Sequence, residues 1–214
     1  MAWSEPQSFP IDVDSGLLCN TGTSYRKQLR ELAGLYADAN AFEAMNADRG
    51  DDIVYEVTDH RPSDAAGDLI TGTTRMSPGR VGDEFFMTRG HIHAIADRPE
   101  MYFGLHGRGL MVMEALDGDF RTVEMLPGTV CYVPPFWIHR SVNIGESDFG
   151  MLFCYPADAG QDYEIIRRSN GLSRRIVSDG HVGWKVVDNP DYSPRTAGEV
   201  QEFEAQHARR RSGT

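Results

Sequence analysis

Two histidines and a glutamate lie close together in the segment GHIHAIADRPEMYFGLHGRG, residues 90–109. His91 and His93 are two residues apart, a spacing that puts both side chains on one face of a β-strand. The sequence Asp-Arg-Pro at 97–99 predicts a turn, after which Glu100 begins the next strand. Imidazole nitrogens and carboxylate oxygens are both ligands of divalent metals. The segment therefore predicts a metal site that is built on strands.

A fourth ligand is found in the segment LPGTVCYVPPFWIHRSVNIG, residues 126–145. His139 stands near the start of the strand that follows two prolines. A barrel brings strands that are distant in sequence together in its interior, so this imidazole can join the first three groups. The resulting set is His91, His93, Glu100 and His139, which leaves one or two coordination positions for water or substrate.

The elements that must position these ligands follow from the apolar pattern. Residues 24–47 carry apolar side chains at helical spacing behind Ser24 as a candidate N-cap, which predicts a helix that covers one face of a sheet. Short β-rich runs separated by turns fill residues 52 to about 188 and predict an antiparallel barrel or sandwich. We expect one domain over residues 1–192. Residues 193–214 are expected to form a polar extension, a solvated helix or frayed end without chemistry.

Composition excludes several classes of protein. The chain has 214 residues and a net charge of −11, which argues against nucleic acid and anionic membranes as partners. It has no apolar run of about 18 residues, and its N-terminus lacks the basic start and apolar stretch of a secretory signal, so we expect a cytoplasmic protein. Its 3 cysteines form no Cys-x-x-Cys pair. With only Lys27 and Lys185, little room remains for Schiff-base chemistry.

Both histidine segments resemble the motifs of the cupin family. His91, His93, Glu100 and Gly107 match the first cupin motif, G-x5-HxH-x3-6-E-x6-G. Gly128, Pro134, His139 and Asn143 match the second, G-x5-PxG-x2-H-x3-N, whereas Phe136 stands where that motif has glycine. The resemblance implies an all-β cupin barrel, also called a double-stranded β-helix or jelly roll.

Longer runs resemble one branch of that family, the cupin-type glucose-6-phosphate isomerases. They include TRGHIH, YPADAGQDYE and KVVDNP, and the similarity extends from about Asp52 to Asp191. The resemblance implies a metal-dependent interconversion of glucose 6-phosphate and fructose 6-phosphate, a reaction of glycolysis and gluconeogenesis. It also implies a homodimer with one divalent ion per subunit. Fe²⁺ is the expected ion, with Mn²⁺, Ni²⁺ and Zn²⁺ as alternatives.

The resemblance also assigns expected roles to individual residues. Glu100, Tyr102 and His139 become the candidate catalytic residues. The candidate substrate-binding residues are Tyr55, Thr74, Thr88, Gly90, Tyr102, Tyr155, Gln161 and Tyr163. Thr74, Thr88 and the Gly90 N–H are expected to surround the phosphate, so that neutral donors do most of the holding. Gln161 stands where many members of the family have histidine, a change that removes a titratable group.

The sequence leaves the chemistry itself open at several points. Glu100 can be a metal ligand, a base, or both in turn, and the hydrogen can move as a proton through an enediol or as a hydride. A cupin dioxygenase would use the same four ligands but predicts an apolar pocket. A sugar-phosphate-binding cupin without catalytic activity would keep the phosphate anchor and need no Glu100.

Overall fold

The computed structural model of the chain describes residues 5–12, 14–19, 23–181 and 183–211. The strands are β1 Thr23–Gln28, β2 Ile53–His60, β3 Leu69–Met76, β4 Arg80–Val81, β5 Glu84–Phe85, β6 Glu100–His106, β7 Gly109–Ala115, β8 Phe120–Met125, β9 Val130–Val133, β10 Trp137–Asn143, β11 Phe149–Pro156, β12 Arg174–Ser178 and β13 Trp184–Asp188. The α-helices are α1 Ala39–Arg49, α2 Glu164–Arg168 and α3 Ala197–Arg211, and a 3-10 helix spans Leu29–Leu32. The first 4 residues of the predicted domain and the last 3 of the predicted extension lie outside the described residues.

The strands form three antiparallel sheets. A six-stranded sheet has the order β1-β2-β3-β11-β6-β9, a three-stranded sheet the order β10-β7-β8, and a four-stranded sheet the order β13-β12-β5-β4. Strands that are far apart in sequence are neighbours in the first sheet, where β11 pairs with both β3 and β6. The predicted all-β architecture is confirmed: β2 to β13 lie within the predicted range of 52–188, and β1 precedes it.

Alternation of apolar side chains places the core on the inner faces of the sheets. In β9, Cys131 and Val133 are buried whereas Val130 and Tyr132 are exposed. In β6 the same period of two buries Glu100 and Tyr102 with the core-facing residues. The strand that packs the core therefore also carries polar groups into the interior of the barrel.

The predicted N-terminal helix over 24–47 is wrong in its first half. Residues 23–28 form β1, which pairs antiparallel with β2 from Thr23 opposite Asp59 to Gln28 opposite Ile53. The edge of β2 offers backbone hydrogen bonds that a local apolar period does not reveal, and tertiary pairing outweighs helix propensity here. The helix begins only at Ala39, where the side chain of Asp38 accepts a hydrogen bond from the Ala41 N–H.

The C-terminal extension is docked on the barrel, contrary to the predicted solvated tail. In α3, Val200 and Phe203 are partly buried against the core, and His207 is buried. The spacing of these three residues places them on one helix face, a short apolar stripe in a polar sequence. None of the helices in the described ranges has the length and apolarity needed to cross a lipid bilayer.

A buried ion pair fixes the start of this extension. Nη1 of Arg195 lies 3.1 Å from Oε1 of Glu114, and the two side chains are 9% and 0% exposed. Replacing Arg195 by methionine leaves a buried carboxylate without its cation, so we expect the free energy of unfolding to fall by about 3 kcal/mol.

Urea denaturation measures this loss. The matched control is Arg174→Met, which removes the ion pair between Arg174 and Asp188, whose side chains are 44% and 83% exposed. An exposed pair contributes under about 1 kcal/mol, so the control is expected to unfold almost as wild type does. Equal losses in the two variants would contradict the prediction.

Candidate active site

The four predicted metal ligands converge near the N-terminal ends of β6 and β10. His91 and His139 form an isolated antiparallel bridge, in which each backbone N–H donates to the other residue's carbonyl, at 3.0 and 2.9 Å. Glu100 begins β6, and its Oε2 lies 3.2 Å from Nε2 of His93 and 2.9 Å from Nε2 of His139. One ligand atom from each of the four residues lies within 4.8 Å of the others.

Hydrogen bonds outside the cluster set the tautomers of two imidazoles. Nδ1 of His93 lies 2.7 Å from the Arg98 carbonyl oxygen, and Nδ1 of His139 lies 3.1 Å from that of Trp137. Because a carbonyl oxygen only accepts, each Nδ1 carries the hydrogen, which leaves the Nε2 lone pair of the neutral ring directed at Glu100.

This arrangement of donors fits a divalent cation. Nε2 of His91 is buried and has no hydrogen-bond partner among the described residues. The lone pairs of His93 and His139 face a carboxylate oxygen, and they repel it unless a proton or a cation lies between them. Ligand atoms that bind one ion at about 2.1 Å lie about 3–4 Å apart, close to the separations found here. His91, His93, Glu100 and His139 are therefore suited to hold a metal.

The electrostatics of the cluster keep its ligands in their binding forms. Burial lowers the pKa of His91 well below its ordinary value, which keeps this imidazole neutral. Burial alone would raise the pKa of Glu100, but hydrogen bonding and positive charge on the side of His139 and His93 outweigh it and hold the pKa below its ordinary value. In this cluster that positive charge is a proton or a cation between the two Nε2 atoms and the carboxylate. Burial and the Glu100 carboxylate raise the pKa of Tyr102 well above its ordinary value, so its hydroxyl stays protonated.

A cavity of about 100 Å³ opens beside the cluster. The predicted site residues that line it are Tyr55, Thr74, Thr88, Gly90, His91, Glu100, Tyr102, His139, Tyr155, Gln161 and Tyr163. His93 is not part of the lining and joins the site through Glu100. The structure thus brings all the predicted site residues into one place.

Hydroxyl groups make one wall of this cavity polar. The Thr88 Oγ1 accepts a hydrogen bond of 3.0 Å from the Ser141 N–H, which leaves the Thr88 hydrogen available for a ligand. Burial raises the pKa of both Tyr55 and Tyr155 to about 12, so both hydroxyls remain neutral donors. These residues form a polar wall, whereas the dioxygenase alternative predicts an apolar pocket.

Gln161 and Tyr163 lie together in the wall of the cavity. The Tyr163 hydroxyl donates to Oε1 of Gln161, and the Tyr163 ring centroid is 5.9 Å from that of His91. Tyr163 is 43% exposed, so this pair stands between the cluster and solvent.

The structure adds cavity residues that the sequence did not reveal. Tyr25, Asp59, Arg61 and Arg140 line the cavity together with Arg89. Tyr25 was hidden because the segment around it was read as a helix. Asp59 lies near the end of β2 and Arg61 directly after it; residues 54–59 are all buried, so both faces of β2 are covered and no alternation marked its polar residues. Three arginines therefore line the cavity beside the neutral donors.

Phe136 shows how the departure from the second cupin motif is accommodated. Its φ is 69°, in the left-handed region where the motif's glycine is favoured. The Phe136 N–H donates to the Ala96 carbonyl at 2.7 Å, and its ring meets that of His207 edge-on at 6.1 Å. The docked helix α3 thus packs on the strained turn that precedes His139.

Comparisons with known proteins find relatives named glucose-6-phosphate isomerase. The chain is 53% identical over 196 residues to the glucose-6-phosphate isomerase of Sinorhizobium medicae (strain WSM419), with 92% of each chain covered. It is 42% identical to that of Thermococcus litoralis, covering 90% of this chain and 99% of that one. It is also 42% identical to that of Pyrococcus furiosus, covering 88% and 97%.

The solved structures named here are distant likenesses. An oxalate oxidase in complex with glycolate has a TM-score of 0.45 and 14% identity, over 72% of this chain and 73% of that one. Bacillus subtilis oxalate decarboxylase has a TM-score of 0.39 and 24% identity, over 49% of this chain and 26% of that one. The family model described as "Glucose-6-phosphate isomerase (GPI)" matches residues 26–193, and the chain belongs to that family.

Proposed function

We propose that this protein is a metal-dependent isomerase that interconverts glucose 6-phosphate and fructose 6-phosphate. The observation that carries the proposal is the placement of three imidazoles and one carboxylate beside a cavity lined with neutral hydroxyl donors. Such a cavity suits a sugar and its phosphate. The chain also spans nearly the whole length of relatives that carry this activity in their names.

The reaction moves one hydrogen between C1 and C2 and leaves the carbon skeleton intact. A bound divalent cation supplies a Lewis acid for the carbonyl and the neighbouring hydroxyl. Glu100 accepts the C2 proton as the electron pair forms the enediol double bond, and it returns that proton to C1 while the O2 proton ends on O1. Tyr102, on the same face of β6, orients the carboxylate or a sugar hydroxyl.

The other residues of the cavity wall bind the phosphate and the sugar. Thr74, Thr88 and the Gly90 N–H hold the phosphate, with the hydroxyls of Tyr55 and Tyr155 beside them. Gln161 and Tyr163 contact the sugar at the outer side, and His139 is one of the ligands that would hold the metal beside Glu100. Each donor fixes one part of the substrate without adding a negative charge.

The deciding experiment is a coupled assay on the purified protein together with metal analysis. We expect conversion of glucose 6-phosphate to fructose 6-phosphate and about one divalent ion per chain, of which Fe²⁺ is the proposed species. Absence of turnover in metal-loaded protein that still binds the sugar phosphate would replace this function by a binding role.

Gln161→His tests the departure from the family pattern. Gln161 accepts from the Tyr163 hydroxyl, and an imidazole nitrogen can accept the same hydrogen bond. We therefore expect kcat/KM to stay within about threefold of wild type or to rise. Steady-state kinetics measure this, and a collapse of activity would mean that the chain uses this position differently.

The proposed assembly is a homodimer that acts in the cytoplasm. Val130 and Tyr132 are 62% and 58% exposed on β9, an edge strand of the six-stranded sheet. Edge strands with exposed apolar side chains favour pairing with another chain. Light scattering is expected to give twice the chain mass of 23.9 kDa, and cell fractionation checks the compartment.

A further inference from the structure

Holding a doubly charged phosphate is a physical problem for a chain with a net charge of −11 and 2 lysines. We propose that Arg140 is the positioning residue that solves it: its buried guanidinium orients and polarises the Arg89–Gly90 peptide, whose N–H then binds the phosphate of the substrate. The inference rests on the proposed function, because it assumes that a phosphate lies at this end of the cavity.

Arg140 differs from the other arginines of the cavity. Arg61 has an ion pair with Asp59 at 3.2 Å, and Arg89 donates to the Glu31 carbonyl at 2.7 Å. Both side chains are at least partly open to water, whereas Arg140 is buried in the middle of β10, one residue after His139. Its charge is therefore screened least.

The guanidinium of Arg140 has no carboxylate partner at ion-pair distance within the described part of the chain. Nη1 donates to the Met87 sulfur at 3.0 Å, Nη2 donates to the Arg89 carbonyl at 2.8 Å, and Nε is buried without a partner. The neighbouring Glu84 is already paired with Arg175 at 2.9 Å. Arg140 and Arg175 therefore share one neighbouring carboxylate, which leaves net positive charge beside Arg140 and favours an anion nearby.

The hydrogen bond to the Arg89 carbonyl fixes the direction of the next N–H. The chain has no cis peptide bond among its described residues, and in a planar trans peptide the C=O and N–H groups point in opposite directions. Because Arg140 holds the carbonyl, the Gly90 N–H points away from Arg140. No acceptor for this N–H is found in the described ranges, and Gly90 lines the cavity with Thr88.

Close packing of Gly90 on Arg140 makes this arrangement specific. Gly90 has a φ of +73°, and an added Cβ would lie 2.9 Å from the Cβ and 3.0 Å from the Nε of Arg140. The backbone thus lies directly on the arginine, which leaves no room for a side chain between them. A charged donor on the carbonyl strengthens the hydrogen bond made by the same peptide's N–H, and burial increases the effect.

Calorimetry on metal-loaded protein tests the inference with two ligands that differ only in the phosphate, 6-phosphogluconate and gluconate. For Arg140→Met we expect the Kd of 6-phosphogluconate to rise about 10- to 100-fold, the range for a lost charged hydrogen bond. The Kd of gluconate is expected to stay within about twofold, because the metal ligands are unchanged. In kinetics, KM rises and kcat is nearly constant.

Two further variants keep the test decisive. Arg140→Lys keeps the positive charge but replaces the guanidinium by a single ammonium nitrogen. We therefore expect an intermediate rise of about 3- to 10-fold in the Kd of 6-phosphogluconate. Arg195→Met removes another buried arginine, outside the cavity lining, and is expected to change neither Kd.

The possible outcomes separate this inference from the proposed function. An unchanged ratio of the two Kd values in Arg140→Met, or in Arg140→Lys if the first variant does not fold, overturns the inference. Equal weakening of both ligands overturns it too, because it reveals a merely structural role. Absence of isomerase activity in the wild type would refute the proposed function, and the ratio would still decide the role of Arg140.

Discussion

Replacing Glu100 by glutamine is expected to lower kcat for the isomerisation by about 10²- to 10⁴-fold, the range that a positioned acid–base group contributes. The amide keeps the size and one acceptor oxygen of the carboxylate, but it cannot take up and return the proton that moves between C1 and C2. Glu100 is the acidic residue of the four-ligand cluster, and it is 3% exposed, so water is poorly placed to replace it.

Metal content must be measured in the same preparation, because Glu100 is also a candidate ligand. If metal analysis shows that Glu100→Gln still binds the ion through its three imidazoles, the loss of turnover is due to the loss of the base. Glu124→Gln is the control, since Glu124 is paired with Arg108 on the surface and is expected to leave kcat unchanged. If metal-loaded Glu100→Gln retains a kcat within about tenfold of wild type, Glu100 is not the base.

The candidate ligands of this site depend partly on local rules. Glu100 begins β6 after a turn, as predicted, but the predicted strand under His91 and His93 is absent: His91 lies in an isolated bridge, and His93 follows outside the named strands. The structure places these groups within 4.8 Å of one another, together with His139. Positions carried over from the family resemblance, such as Thr88 and Gln161, also line the cavity.

The errors occur where distant parts of the chain meet. Tyr25 belongs to β1, which is a strand because it pairs with β2 about 30 residues later, with Tyr25 opposite Val57. His207 is buried because its Nε2 lies 3.1 Å from the Ala94 carbonyl, 113 residues away. Arg140 contacts the Arg89 carbonyl across 51 residues. No local pattern encodes such contacts, since they exist only after the barrel closes.

Chelation of the metal is expected to abolish isomerisation, with a loss of at least about 10³-fold, and added Fe²⁺, Mn²⁺, Ni²⁺ or Zn²⁺ is expected to restore it to differing extents. The loss follows because the three arginines among the described lining residues are engaged elsewhere: Arg61 by Asp59, Arg89 by the Glu31 carbonyl, and Arg140 by Met87 and the Arg89 carbonyl. Assays before and after dialysis against a chelator measure both steps.

Chelation is also expected to lower the Tm, which is a readout independent of turnover. Without a cation, the Nε2 lone pairs of His93 and His139 face the Glu100 carboxylate at 3.2 and 2.9 Å, and the buried Nε2 of His91 has no partner among the described residues. A cation that binds only the folded chain stabilises it by mass action, so the Tm should rise with metal concentration. His91→Ala removes one ligand and should reduce that dependence, whereas His181→Ala, in an exposed loop, should not. Full activity and an unchanged Tm in protein that retains less than about one tenth of an ion per chain would contradict the metal site, because no ordinary binding equilibrium stabilises a protein without occupancy.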